Sequence, residues 1–157
     1  MSHSRALALV TGPLLALFLA LPAAAQTSVL QQRLESATSV SCTFSIVATG
    51  TWTGGTPAAD VKAAAITVSF TSVSADDGTA DAESKYGGSF VVVRYSNDYL
   101  HLMQVHSGGA LYTTTVLAKA GKDGRLMAVH TRHEYTDISV PGFTSRPEMY
   151  LGDCAIG

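Results

Sequence analysis

Charge, long apolar runs and catalytic signatures are all scarce in this chain. Only 14% of its 157 residues are charged, and the formal net charge is −2. No strongly basic face is available to neutralise a run of phosphates, so nucleic acid is not expected as a partner. No apolar stretch approaches the roughly 20 residues that a membrane-spanning helix needs, so no membrane span is expected. G-x-S-x-G, H-E-x-x-H and phosphate-cradling glycine loops are absent, and no motif brings two carboxylates together. Hydrolase and nucleotide chemistry are therefore not indicated, and no cofactor is expected. Cysteine occurs only twice and never as C-x-x-C, which removes the usual redox and nucleophilic settings for a thiol.

What is present begins with an export signal. Arg5, the apolar run from Leu14 to Leu21 and then Ala23-Ala24-Ala25 before Gln26 supply its charged, hydrophobic and small-residue parts. Pro13 and Pro22 bracket the run and keep it shorter than a span. The mature protein is expected to start at Gln26, leaving residues 26–157 as a single domain that is periplasmic or secreted. No cysteine follows the small residues, so no lipid anchor is indicated. Cys42 and Cys154 lie near the two ends of the mature part, in a compartment that oxidises thiols, and are expected to form a disulfide. Closing a loop of that length stabilises a fold by roughly 4 to 5 kcal/mol in the chain-entropy model.

The hydrophobic periodicity is that of an all-β protein. Ser28-Val29-Leu30-Gln31 matches a capping box, and Leu30 with Leu34 gives a narrow stripe, so a short helix is expected over residues 29–36. From Ser41 the period becomes two. Cys42, Phe44 and Ile46 alternate with polar residues, as do Ile66, Val68 and Phe70, with Thr53-Gly54-Gly55-Thr56-Pro57 breaking one strand from the next. Residues 75–88 are poorly patterned. Strands follow over 90–96, 99–106, 111–118 and 126–135, joined by Asn97-Asp98, Ser107-Gly108-Gly109 and Gly121-Lys122-Asp123-Gly124, all of them hairpin chemistry. Pro141-Gly142 marks a loop before a last strand at 149–154. Seven strands and one helix, with neighbours in sequence joined by short turns, predict a small antiparallel meander, closed or partly closed as a β-barrel. A two-sheet sandwich is the alternative.

Pairing the meander by its turns converts a list of polar residues into a geometry. Arg94 falls opposite His101, His101 opposite Thr115, and Thr115 opposite His130, a polar row on one face. Val92, Met103, Thr113 and Arg132 share that face, as do Phe90, Val105, Leu111 and Glu134. Val91, Val93, Leu100, Leu102, Thr114, Val116, Met127 and Val129 occupy the other. If the row lines an interior, Arg94, His101, Thr115 and His130 are the candidate ligand-binding residues: polar groups among apolar walls suit a small amphipathic or anionic ligand. If it faces water, it is ordinary sheet surface, where such pairs contribute only tenths of a kcal/mol. His130 and His133 are an odd number of residues apart and point to opposite faces of a strand, so a shared metal is not expected. Asp76, Asp77, Asp81 and Glu83 lack the alternation of a calcium loop and read as a solvated turn.

Two short motifs carry a family resemblance. Gly50-Thr51-Trp52, at the first strand after a short helix, resembles the G-x-W signature of lipocalins, and Asn97-Asp98-Tyr99 is similar to their T-D-Y signature. Arg132 stands where that family carries an arginine packed across the tryptophan. The resemblance spans about ten residues, the spacing between the signatures is shorter than in lipocalins, and an extra strand precedes the arginine. It implies a calycin-type barrel that carries an amphipathic ligand without turnover. Two function classes therefore stand side by side. One is small-molecule binding. The other is a structural or interaction protein of the cell envelope that presents loops, Val140 to Thr144 with Phe143 among them, to a protein partner. An enzyme using His101 or His130 as general base is the least supported reading.

Overall fold

The structure, a computed structural model, describes residues 23–82, 89–106, 108–136 and 145–157. The expected signal up to residue 22, Glu83, Ser107 and the Phe143 loop lie outside the described residues. One helix, α1 (Ala23–Glu35), precedes eight strands: β1 (Val40–Thr53), β2 (Thr56–Ser74), β3 (Thr79–Ala82), β4 (Ser89–Ser96), β5 (Tyr99–Val105), β6 (Leu111–Ala120), β7 (Leu126–His133) and β8 (Glu148–Ile156). Each strand pairs antiparallel with the next, and β8 returns to β1 to close the barrel.

Several boundaries differ from expectation for local reasons. The helix already includes Ala23, ahead of the expected Val29, because the alanines before Gln26 are the strongest helix formers. Position 28 therefore falls inside the helix and not at its start. Within the expected connection 75–88, the four residues of β3 form a strand too short and alanine-rich to leave a period. The Asp76–Asp77 stretch is a turn, in which Ser74 Oγ donates to Asp77 Oδ2 at 2.8 Å and accepts from the Asp77 amide at 3.1 Å. A bulge between Phe44 and Ile46 turns Ile46 outward and brings Val47 inside in its stead. The β1–β2 hairpin turns at Gly54 and Gly55, both in the left-handed region with φ of 57° and 83°, as a two-residue type I′ turn requires.

The interior has two halves. At one end Val40, Cys42, Phe70, Val93, Leu100, Leu126 and Cys154 form an apolar core, with Leu34 of α1 buried against it. Filling such positions stabilises the fold by roughly 1.5–3 kcal/mol per large side chain relative to exposure. The helix is tied across that end by polar contacts. Tyr95 donates to the Gln31 carbonyl, Gln31 to Asp98 at 2.9 Å, and Arg33 to the Gly124 carbonyl at 2.8 Å. At mid-height the Phe44 ring needs room, and it obtains it from Gly152, directly opposite on β8, and Ala128 beside that on β7. A Cβ on Gly152 would collide with the Thr43 carbonyl oxygen and lie 2.7 Å from the Phe44 Cα.

The β1–β8 seam is also covalently fastened. Cys42 and Cys154 are directly opposed across it and form a disulfide, 112 residues apart in sequence. Intact-mass analysis of unreduced protein after alkylation is expected to find no free thiol. Reduction should lower the unfolding midpoint markedly, since several kcal/mol is a large share of a small domain's stability; an unchanged midpoint would show that the bridge contributes nothing. Gly152→Ala is expected to cost at least about 2 kcal/mol by chemical denaturation, because the clash is with backbone and cannot be relieved by a rotamer change.

Candidate functional site: the polar end of the barrel

The expected polar row is broken by one residue of register. Arg94 does pair with His101, and His101 with Thr115, but Thr115 faces Val129, and His130 stands opposite Thr114. The exchange of faces arises at the loop: Ala120 pairs with Leu126 and not with Arg125, so five residues rather than the expected four turn the chain, and an odd change sends the side chains of β7 to the other face. The irregularity that follows, four residues of β6 from Ala120 to Val116 against two of β7 from Leu126 to Ala128, is even and keeps that face. Arg94, His101 and Thr115 consequently lie on the outer wall. There Arg94 Nη1 donates to the Val93 carbonyl at 2.7 Å, His101 Nδ1 is 2.9 Å from Thr115 Oγ1, and the His101 ring stacks on Tyr99. His130 and Arg132 go inside with Thr114, while Met127 and Val129 go out. His101 and His130, on opposite faces of the sheet, do not meet.

What the slip creates is a polar cluster in the half of the barrel farther from α1. One row of ladder partners runs Thr49–Glu148–Arg132–Tyr112–Gln104 across β1, β8, β7, β6 and β5. The next row inward runs Tyr150–His130–Thr114. Phe44 forms the floor, its ring 5.6 Å from that of His130 and 6.4 Å from that of Tyr150. The Arg132 guanidinium lies between two tyrosines, 5.4 Å from the Tyr112 ring and 5.3 Å from the Tyr150 ring, and 3.7 Å from Glu148. Each tyrosine hydroxyl donates to a carboxylate: Tyr150 to Glu148 at 2.5 Å, Tyr112 to Glu134 at 3.0 Å. His106 packs on Tyr112 with ring centroids 4.5 Å apart. An open cleft of about 380 Å³ lies at this end, lined by Gly108, Ala110, His133, Glu134, Tyr135 and Ser145.

The cluster is under-satisfied. Among the described residues the buried side-chain atoms without a hydrogen-bond partner are Thr49 Oγ1, His106 Nε2, His130 Nε2 and Arg132 Nε, and all four belong to this end. Such an atom ordinarily costs about 1–3 kcal/mol, so several in one place call for an explanation. His130 is the deepest of them, 1% exposed, with Nδ1 2.9 Å from Thr114 Oγ1. Burial first, and then the Arg132 charge beside it, push its pKa down to about 4. Burial and the hydrogen bond to Glu148 push Tyr150 up to about 12, and Tyr112 is raised by burial and its bond to Glu134. At neutral pH the interior thus holds a neutral imidazole and two protonated phenols around one guanidinium.

Thr49, His106, Tyr112, Glu148 and Tyr150 escaped sequence reasoning, although Tyr112-x-Thr114, His130-x-Arg132 and Glu148-x-Tyr150 each have the period of one strand face. Of the residues singled out by the lipocalin resemblance, Trp52 is half exposed and meets Tyr135 edge-on at 5.7 Å, and Arg132 is the cation between the two interior tyrosines. Arg146, outside that set, lies 4.9 Å from the Tyr135 ring. Comparison of the chain with models of protein families, with curated proteins and with solved structures finds no match.

The buried imidazole has a thermodynamic consequence. The unfolded chain protonates His130 near its ordinary value of 6.5, whereas the folded chain holds it neutral to about pH 4. Its contribution is complete above pH 6.5 and is lost as pH falls through that window, on the order of 3 kcal/mol in all. Denaturation midpoints from pH 7 to 4 should therefore fall more steeply for wild type than for His130→Gln; equal slopes would refute the assignment.

Proposed function

We propose that the protein is an exported carrier of a small amphipathic molecule, bound at the polar end of the barrel. The observation that carries this reading is the collection of unpartnered buried polar atoms around His130 and Arg132. These are groups that a ligand's head could satisfy, set above an aromatic floor for its apolar part. The apolar end is packed and covered by α1, whereas among the described residues an open cleft lies at the opposite end. Export is supported by the signal-like start of the chain and by the disulfide. The lipocalin resemblance points to the same class of activity, carriage without turnover.

The electrostatics narrow the head group. Glu148 already answers Arg132, Glu134 stands close by on the Tyr112 hydroxyl, and His130 is neutral. Two carboxylates around one guanidinium favour an uncharged acceptor, such as an amide or ketone, over the anion that the outer row with Arg94 suggested. Octanamide and octanoate serve as probes. Octanamide is expected to bind more tightly by calorimetry and to shift the ring signals of His130 in NMR spectra. His130→Phe and Arg132→Met should weaken it by about tenfold, the worth of one good hydrogen bond to a charged or buried partner. Lys122→Ala, at the tip between β6 and β7, should leave it unchanged. If neither probe perturbs His130, and protein purified from its own host carries no added mass in native mass spectrometry, the carrier reading fails.

A further inference from the structure

We infer that the protein pairs with a second copy of itself along the outer edge of β2. The β1–β2 hairpin outruns the barrel. β8 follows β1 only as far as Thr49, and β3 follows β2 only from Phe70 to Ser74. Among the described residues, no strand lies on the far edge of β2 between Thr56 and Ser69. Its residues from Thr56 to Ala63 are all exposed, Val61 at 66%. A long edge of this kind presents a row of backbone donors and acceptors and is a template for another strand.

The side chains select the partner. Asp60, Val61 and Lys62 are consecutive, so an antiparallel approach about a two-fold axis at Val61 sets Asp60 against Lys62 of the second copy and Lys62 against its Asp60. Val61 meets Val61, and Ala58, Ala59, Ala63 and Ala64 flank the axis with small side chains. Parallel pairing in register would put Asp60 on Asp60 and Lys62 on Lys62. Moving the axis by one residue would bring one of those charges onto its own copy. A lysine on an edge usually repels strands. Here the acid two positions away makes the same residue a filter for self. Pro57, which has no amide to offer, falls toward the end of the paired stretch, opposite Ala65. The paired stretch stands beside the polar end, where Asp60 is the ladder partner of Thr49, but it shares no residue with the cleft and does not rest on the carrier reading.

Charge reversal tests it on the full chain by sedimentation over a concentration series, with circular dichroism to show that each variant is folded. Wild type is expected to form a concentration-dependent dimer. Asp60→Lys and Lys62→Asp should each weaken it by about tenfold, since like charges then face each other twice across the axis. The double reversal restores opposite charges and should recover the wild-type constant. Val61→Cys should cross-link the dimer on oxidation while Cys42–Cys154 stays intact. A monomeric wild type at high micromolar concentration, a dimer indifferent to the single reversals, or a folded double reversal that stays monomeric would each overturn the pairing.

Discussion

Everything in this molecule depends on the closure of the ring between its first and last strands. Without the β1–β8 ladder the chain is a series of hairpins with a curved, open edge; with it, the inward side chains of eight strands become one interior. The seam is held in three ways. The backbone ladder runs from Val40 to Thr49, the Phe44 ring occupies the space over Gly152, and the disulfide bonds the strands where they are directly opposed. Arg125 adds an ion pair to Asp153 and a hydrogen bond to the Ser41 carbonyl, so a loop from β7 also grips both sides of the seam.

Closure explains why the two halves of the interior differ in character. Near α1 the inward positions are aliphatic and aromatic, and the helix supplies Leu34 to finish the packing. Beyond Phe44 the inward positions turn polar; His130 and Arg132 find partners on a neighbouring strand at the same height, Thr114 and Glu148, and Tyr150 finds Glu148 two residues back on its own strand. Burial therefore changes in steps along the barrel axis. The Arg132 and Glu148 side chains are 32% and 24% exposed, whereas His130 one row deeper is sealed. In the proposed carrier, a hydrogen-bonding head would meet the charged pair first and the neutral imidazole last.

How much of this was legible in the sequence follows from which signals are unambiguous. The hairpin residues and the period of two were enough for an all-β meander, and two cysteines set near the ends of residues 26–157 were enough for the disulfide. Arg94, His101 and Thr115 were aligned correctly because a two-residue turn and a short glycine loop leave little freedom in register. The alignment failed at β7, where both faces begin apolar: Leu126 and Ala128 on one, Met127 and Val129 on the other. With no pattern to choose between them, the register rested on a loop whose flank is irregular, and His130 and Arg132 were assigned to the wrong side. The missed β3 and the extension of α1 ahead of Val29 have the same origin, since alanine marks neither a face nor a boundary.

The seam has one consequence for how the protein comes into being. Every other strand pair joins segments that are neighbours along the chain and can zip as soon as both have emerged, but the partner of β1 is the last segment to be made. Contacts so distant in sequence form late and set the pace of assembly. Until β8 arrives, Phe44 and the imidazole of His130 lack the Tyr150 and Gly152 neighbours that enclose them. As the chain is made, β1 must therefore wait, unsealed, for β8, and Cys154 reaches Cys42 only with that strand.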